Sequence, residues 1–128
     1  MTLEPDGVAL AFVRALVAKD RVALEATLAP DIDFRGLTPN HEWHATTPGE
    51  VAEILFGSWF EPHDHVREVL ETQTTPVADR HHVRYRFRVE SEGETYLVEQ
   101  QCYFDASDGQ ITRMSAVCSG FQPRGDGT

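Results

Sequence analysis

Residues 96–121 read YLVEQQCYFDASDGQITRMSAVCSGF, and their alternation decides the fold. Successive side chains of a strand point to opposite faces, so Tyr96, Val98, Gln100, Cys102 and Phe104 share one face against Leu97, Glu99, Gln101 and Tyr103. Asp108-Gly109 tolerates the positive φ of a tight hairpin, and Met114, Ala116 and Cys118 then line up on a second strand. Working outward, residues 81–91 repeat the pattern, with Val83, Tyr85, Phe87 and Val89 on one face and Arg84, Arg86 and Arg88 on the other. Residues 66–77 form a fourth run, with reversals expected at Ala78-Asp79 and Glu92-Gly93. The spacing predicts a β-meander over 66–77, 81–91, 95–105 and 111–120. Its apolar face needs a cover, and only the N-terminal half can supply one.

That half has helical spacing. Asp6 is expected to cap a first helix whose stripe is Val8, Phe12, Ala15 and Leu16. Asp20 is expected to cap a second, carrying Val22, Leu24 and Leu28 and ended by Pro30. Residues 31–37 alternate as a short strand, and 38–46 read as a loop or an irregular edge strand. Thr47-Pro48-Gly49-Glu50 combines a capping box with proline at the first helical position, and Val51, Ile54, Leu55 and Trp59 give this third helix its apolar face up to Pro62. No linker splits the chain, so the reading is one α+β domain over residues 1–121, followed by a polar, flexible tail over 122–128.

Composition narrows the partners. Eleven Lys+Arg against 21 Asp+Glu leave a formal charge of −10 in 128 residues, which disfavours nucleic acid and anionic membrane surfaces. Ten of the basic residues are arginine, a bias that fits a GC-rich bacterial genome. No run approaches the roughly 20 apolar residues of a membrane span, and the first residues do not read as a secretion signal. Two cysteines without close spacing suit free thiols in a cytoplasmic setting.

The segments LAFVRALVAKDRVALEATLAPDIDFRG (10–36) and YLVEQQCYFDASDGQITRMSAVCSGF (96–121) together resemble the nuclear transport factor 2-like superfamily, in its SnoaL-like (polyketide cyclase and ketosteroid isomerase-like) form. The resemblance covers about residues 6–121. It implies a cone-shaped α+β barrel, with three N-terminal helices packed on a curved, mainly antiparallel sheet. It also implies a homodimer formed through the outer sheet face bearing Leu97, Tyr103 and Val117. The residues by which ketosteroid isomerases act fall on Phe12, Gln100 and Gly36, so a donor hydroxyl and a general base are absent and steroid isomerisation by that route is not expected. The Asp-Arg-Asp trio of limonene epoxide hydrolases is not recognisable at matching positions either.

Phe12, Trp59, Tyr85, Phe87, Met114 and Cys118 are the expected wall of a pocket for a small apolar organic molecule, with Gln100 orienting it. A buried glutamine amide needs partners, and either a cavity admitting water or a ligand, or internal bonds from Tyr85 or the backbone, supplies them. Asp33 and Arg35 read as an outward ion pair or, alternatively, place a general base at the pocket mouth. Six histidines fall in His41-Glu42-Trp43-His44, His63-Asp64-His65 and His81-His82. None has H-E-x-x-H spacing, so no metal is expected, and His41 or His44 is the better candidate for acid–base work on a ligand. Cys118 reads as a small buried hydrophobe rather than a nucleophile. Without G-x-G-x-x-G or a P-loop no cofactor is implied. The expected function is therefore a small-molecule pocket protein. It is either a cofactor-independent isomerase, cyclase or dehydratase acting on an apolar carbonyl compound, or a non-catalytic binding or dimerisation module.

Overall fold

The computed structural model describes residues 4–123. Helices α1 (Pro5–Ala18), α2 (Arg21–Ala26) and α3 (Pro48–Ile54) cover one face of a sheet built from β1 (Leu28–Thr38), β2 (His41–Ala45), β3 (Asp64–Val77), β4 (Arg80–Ser91), β5 (Glu94–Ser107), β6 (Gln110–Cys118) and β7 (Gln122–Pro123). The strand order is β2-β1-β6-β5-β4-β3, with β7 extending β6's side of β5. Only the β1–β6 pair is parallel. The α+β class and the mainly antiparallel sheet agree with the sequence reading. The sheet stays open between β2 and β3, so the expected barrel is not closed.

Local chemistry explains the element ends. Asp20 Oδ1 accepts from the Ala23 amide at 3.1 Å and caps α2 as expected. The cap of α1 is Glu4 rather than Asp6. Pro5 occupies the first helical position, which moves Asp6 into the first turn, where its charge favours the positive helix end. Leu28 and Pro30 belong to β1, not to α2. Leu28 already pairs with Ile111, and the β1–β6 register shifts between Leu28 and Asp33, so the missing amide of Pro30 costs no ladder bond. Thr47 Oγ1 accepts from the Glu50 amide at 3.2 Å, and Glu50 reaches back to the Thr46 amide at 2.9 Å.

Two features depart further from expectation. Residues 41–45 form a regular strand, turned back from β1 at Asn40 with φ 67°. The third helix does not run on as α-helix to Trp59. Leu55–Trp59 is a π-helical turn, closed by the Phe60 amide on the Leu55 carbonyl at 2.7 Å. Asp108-Gly109 and Glu92-Gly93 have positive φ at both positions, as two-residue hairpins demand. The segment read as a tail begins with an ordered pairing of Gln122 and Pro123 on β5, while 124–128 lie outside the described residues.

Candidate functional site

Register places three polar side chains in one row on the inner sheet face: Tyr85 on β4 lies opposite Gln100 on β5, which lies opposite Cys118 on β6. The Tyr85 hydroxyl donates to Gln100 Oε1 at 2.5 Å, and Gln100 Nε2 donates to Cys118 Sγ at 3.3 Å. The Gly120 amide also donates to Cys118 Sγ, at 3.4 Å. Tyr85 Oη lies 3.8 Å from Cys102 Sγ. Of the two ways to satisfy Gln100 set out above, the chain uses the internal one. Burial pushes the Tyr85 hydroxyl well above its ordinary range and the Cys102 thiol up to about 12. Burial raises Cys118 as well, against the opposing pull of the Gln100 and Gly120 donors.

The space around this row is filled. Phe12, Tyr85, Phe87, Gln100 and Met114 are each at most 1% exposed. A cavity able to hold even one water leaves accessible surface on its walls, so these side chains are packed into the core rather than set around a void. The residues expected to wall a deep pocket are brought together as core.

Open volume lies instead at the end of the cone. A cavity of about 180 Å³ is lined by Thr38 and Trp43 from the β1–β2 hairpin, Ser58 and Trp59 from the π turn, Cys118 from the end of β6, and Gly120 and Phe121 beyond it. Trp43 Nε1 donates to Thr38 Oγ1 at 2.8 Å. Trp59 is 6% exposed and its indole N–H is buried with no hydrogen-bond partner. Trp59 packs on Phe34, with ring centroids 5.9 Å apart, and edge-on to Trp43 at 6.5 Å. Of the expected ligand wall, only Trp59 and Cys118 reach this cavity. Trp43, Thr38, Ser58 and Phe121 were missed. Alternation in HEWHA hints at Trp43, but nothing in the sequence signals the π turn that brings Ser58 and Trp59 round.

Gly36, where an isomerase base would fall, is closed by the same geometry. A Cβ there would lie 2.7 and 2.8 Å from two ring carbons of Trp59. We expect Gly36→Ala to displace the Trp59 ring and lower stability by about 1–3 kcal/mol, the usual cost of overpacking. Thermal melting measures this directly; an unchanged Tm would mean that the ring is free to move.

The acid–base candidates stand elsewhere. Asp33 Oδ1 lies 3.3 Å from His44 Nε2 and 3.5 Å from Arg35 Nε, on the outer sheet face. Asp33 and Arg35 are thus the outward ion pair. His41 packs against Trp43 with ring centroids 4.2 Å apart and planes tilted by 58°, and is not among the residues lining the cavity. Glu61, His63 and Asp64 bring ligating atoms within 4.8 Å of one another, and His63 Nε2 lies 3.5 Å from both carboxylates. The buried Asp64 also closes its own turn, through Oδ2 and the Glu61 amide at 2.8 Å. Two larger depressions cross the outer face, about 490 and 590 Å³, and meet at Val117.

No protein-family model matches the sequence, and no curated protein matches it. Solved structures do match over nearly the whole chain. One is a candidate polyketide cyclase from Pseudomonas putida, 16% identical over 91% of this chain and 90% of that one, with a TM-score of 0.68. A candidate isomerase from Rhodopseudomonas palustris is 15% identical, covering 94% and 93%, at 0.69. A limonene-epoxide-hydrolase-like enzyme of Mycobacterium tuberculosis is 13% identical, covering 88% and 80%, at 0.63. An open α+β cone, its helices on the inner face of a mainly antiparallel sheet, is the architecture these proteins share with the chain. It is the cone-shaped α+β fold that the resemblance to nuclear transport factor 2-like proteins implied. At such identities the likeness is one of fold, and function has to be argued from the site.

Proposed function

We propose that this chain is a SnoaL-like small-molecule pocket protein that holds a small apolar carbonyl compound at the mouth of its cone. One observation carries the reading: Trp59, whose buried indole N–H has no hydrogen-bond partner, is among the residues that line a small cavity together with Trp43 and Phe121. Leaving a donor unpaired costs on the order of 1–3 kcal/mol, and a ligand carbonyl would recover it. Trp43 and Phe121 supply apolar wall. A volume near 180 Å³ is below the roughly 300–1,000 Å³ of ordinary ligand sites, which favours a small ligand.

Binding without turnover fits the lining better than catalysis. Thr38, Trp43, Ser58, Trp59, Gly120 and Phe121 include no carboxylate or imidazole, and Cys118 is the one titratable group among the lining residues. The isomerase, cyclase or dehydratase reading is the second one, and it needs His41, which packs against the lining residue Trp43, as acid or base. Both tryptophans of the chain line the cavity, so its intrinsic fluorescence reports occupancy. Titration with cyclohexanone should give a saturable change that cyclohexane does not. Trp59→Phe, followed through Trp43, should lose that difference. Equal responses to ketone and hydrocarbon would refute the reading.

The outer sheet face fits a second copy of the chain. Leu37, Tyr103 and Val117 are 47%, 45% and 52% exposed there. Six of the eleven basic residues, Arg35, Arg80, Arg84, Arg86, Arg88 and Arg113, also lie on this face. Five of them meet acidic partners: Asp33, Asp105, Glu71, Glu99 and Glu68 respectively. The face is therefore close to neutral on a chain of charge −10, and it is where two such chains can meet without strong repulsion. Light scattering at micromolar concentration should report twice the monomer mass, and Val117→Asp should give monomer. A wild-type monomer at that concentration would sink the proposal. No helix among the described residues is long and apolar enough to cross a membrane. A reducing cytoplasm suits two free, buried thiols.

A further inference from the structure

We infer that the turn entering β3 binds a first-row divalent cation of the zinc type, held by Glu61, His63 and Asp64 with Glu92 beside them. The inference is independent of the carbonyl reading, since none of these residues lines the mouth cavity. H-E-x-x-H spacing is absent from the sequence, but the fold gathers a different donor set from one turn and one hairpin. His63 Nε2 lies 3.5 Å from Glu61 Oε2, 3.5 Å from Asp64 Oδ1 and 3.9 Å from Glu92 Oε1. A tetrahedral zinc ion with ligands at about 2.0–2.2 Å sets neighbouring donors about 3.3–3.6 Å apart. The two shorter separations already match such a shell. Glu92 is exposed at the β4–β5 reversal, so rotation of its side chain can close the fourth position.

Asp64 points to a cation independently. Its side chain is only 5% exposed, and Oδ2 is fixed by the Glu61 amide at 2.8 Å. The other oxygen, Oδ1, receives no hydrogen bond among the described residues and faces the His63 ring. A buried carboxylate oxygen without a donor is costly, and a bound cation would compensate it. The turn itself is held in place. Pro62 lies within it, the Asp64 amide donates to the Glu61 carbonyl at 2.8 Å, and the same carbonyl accepts from Lys19 Nζ. Donors on so constrained a turn lose little freedom on binding. Charge agrees as well. Glu61, Asp64 and Glu92 against the Lys19 ammonium leave two negative charges with His63 neutral, which a divalent ion balances. An imidazole nitrogen among carboxylates suits zinc rather than magnesium or calcium, which take oxygen ligands. The ion would tie the residues after the π turn to the start of β3 and to the β4–β5 hairpin.

The test titrates zinc into the full chain, stripped of metal and kept reduced with a non-thiol reductant, against a chromophoric zinc indicator. We expect one zinc ion per chain with micromolar affinity, and a Tm that rises with free zinc. His63→Ala and Glu61→Gln should each weaken binding by more than about tenfold. Both side chains are 48% exposed, so the metal-free variants should melt as the wild type does. Asp64→Asn keeps an acceptor for the Glu61 amide and should also weaken binding. The pair His81→Ala with His82→Ala should leave it unchanged, and magnesium or calcium at equal concentration should not displace the zinc. The inference falls if no zinc binds at micromolar concentration or if His63→Ala binds as the wild type does. It falls equally if the His81 and His82 variant loses the ion, or if magnesium competes on equal terms.

Discussion

Phe87→Ala should lower the unfolding free energy by about 3–5 kcal/mol, the range for deleting a fully buried phenylalanine ring. Phe87 has no exposed surface, stacks on Tyr85 with centroids 5.0 Å apart, and packs against Phe60 at 6.1 Å. It sits on β4, between β3 and β5, where strands on both sides limit collapse around the hole. At roughly 3–5 °C per kcal/mol for a chain of this size, Tm should fall by about 10–20 °C. The size of the effect discriminates between two interiors. A ring lining a roomy ligand pocket loses few contacts on truncation, so a fall of only a few degrees would mean that the cone interior is loosely filled. A large fall supports a packed interior with the ligand site confined to the mouth.

Gln100→Leu comes second. The change removes the acceptor of the Tyr85 hydroxyl and one donor to Cys118. Tyr85 is 1% exposed, so no solvent can replace that acceptor, and the expected loss is about 1–3 kcal/mol. Removing the orphan should restore most of it. Tyr85→Phe with Gln100→Leu should therefore be less destabilised than the sum of the two single changes, a coupling of about 0.5–3 kcal/mol. Additive losses would mean that the two groups are satisfied independently. Ligand binding at the mouth should persist in any of these variants that folds, because Gln100 has no surface on the cavity. A Gln100→Leu protein with full stability and lost ligand affinity would return Gln100 to the role of ligand contact.

The four-stranded meander was legible because each run alternates cleanly and each reversal carries a residue that tolerates positive φ. Asp20 and Thr47 were legible as caps because short side chains with an acceptor oxygen at those positions satisfy orphan amides. Leu28 and Pro30 misled for a local reason: a proline next to an apolar helical stripe reads as a terminator, and only pairing with Ile111 across 83 residues shows that it sits in an interrupted strand. Alternation assigned Gln100 to the inner face correctly. It could not say whether Tyr85 or a ligand would meet the amide, because that depends on cross-strand register, which no local pattern encodes. The mouth cavity was the least legible part. It is assembled from a hairpin, a π turn and the residues after the last long strand, and no local pattern in LFGSW marks the π turn that sets Trp59 against Gly36. His44 and Asp33 show the same limit in reverse. Their chemistry suited a general base, but strand parity turned both away from the cavity.

Trp43 commits its indole N–H to Thr38, whereas the buried indole N–H of Trp59 has no hydrogen-bond partner and is the donor proposed for a ligand carbonyl. The chain has two tryptophans, so ¹⁵N-tryptophan labelling gives two indole N–H signals, assigned by Trp59→Phe and Trp43→Phe. On titration with cyclohexanone, the Trp59 indole proton should shift strongly downfield and saturate, as expected for a new hydrogen bond, with only a small ring-current change at Trp43. A Trp59 signal that stays in place while the ketone perturbs residues of the packed interior, such as Phe12 or Met114, would contradict the account.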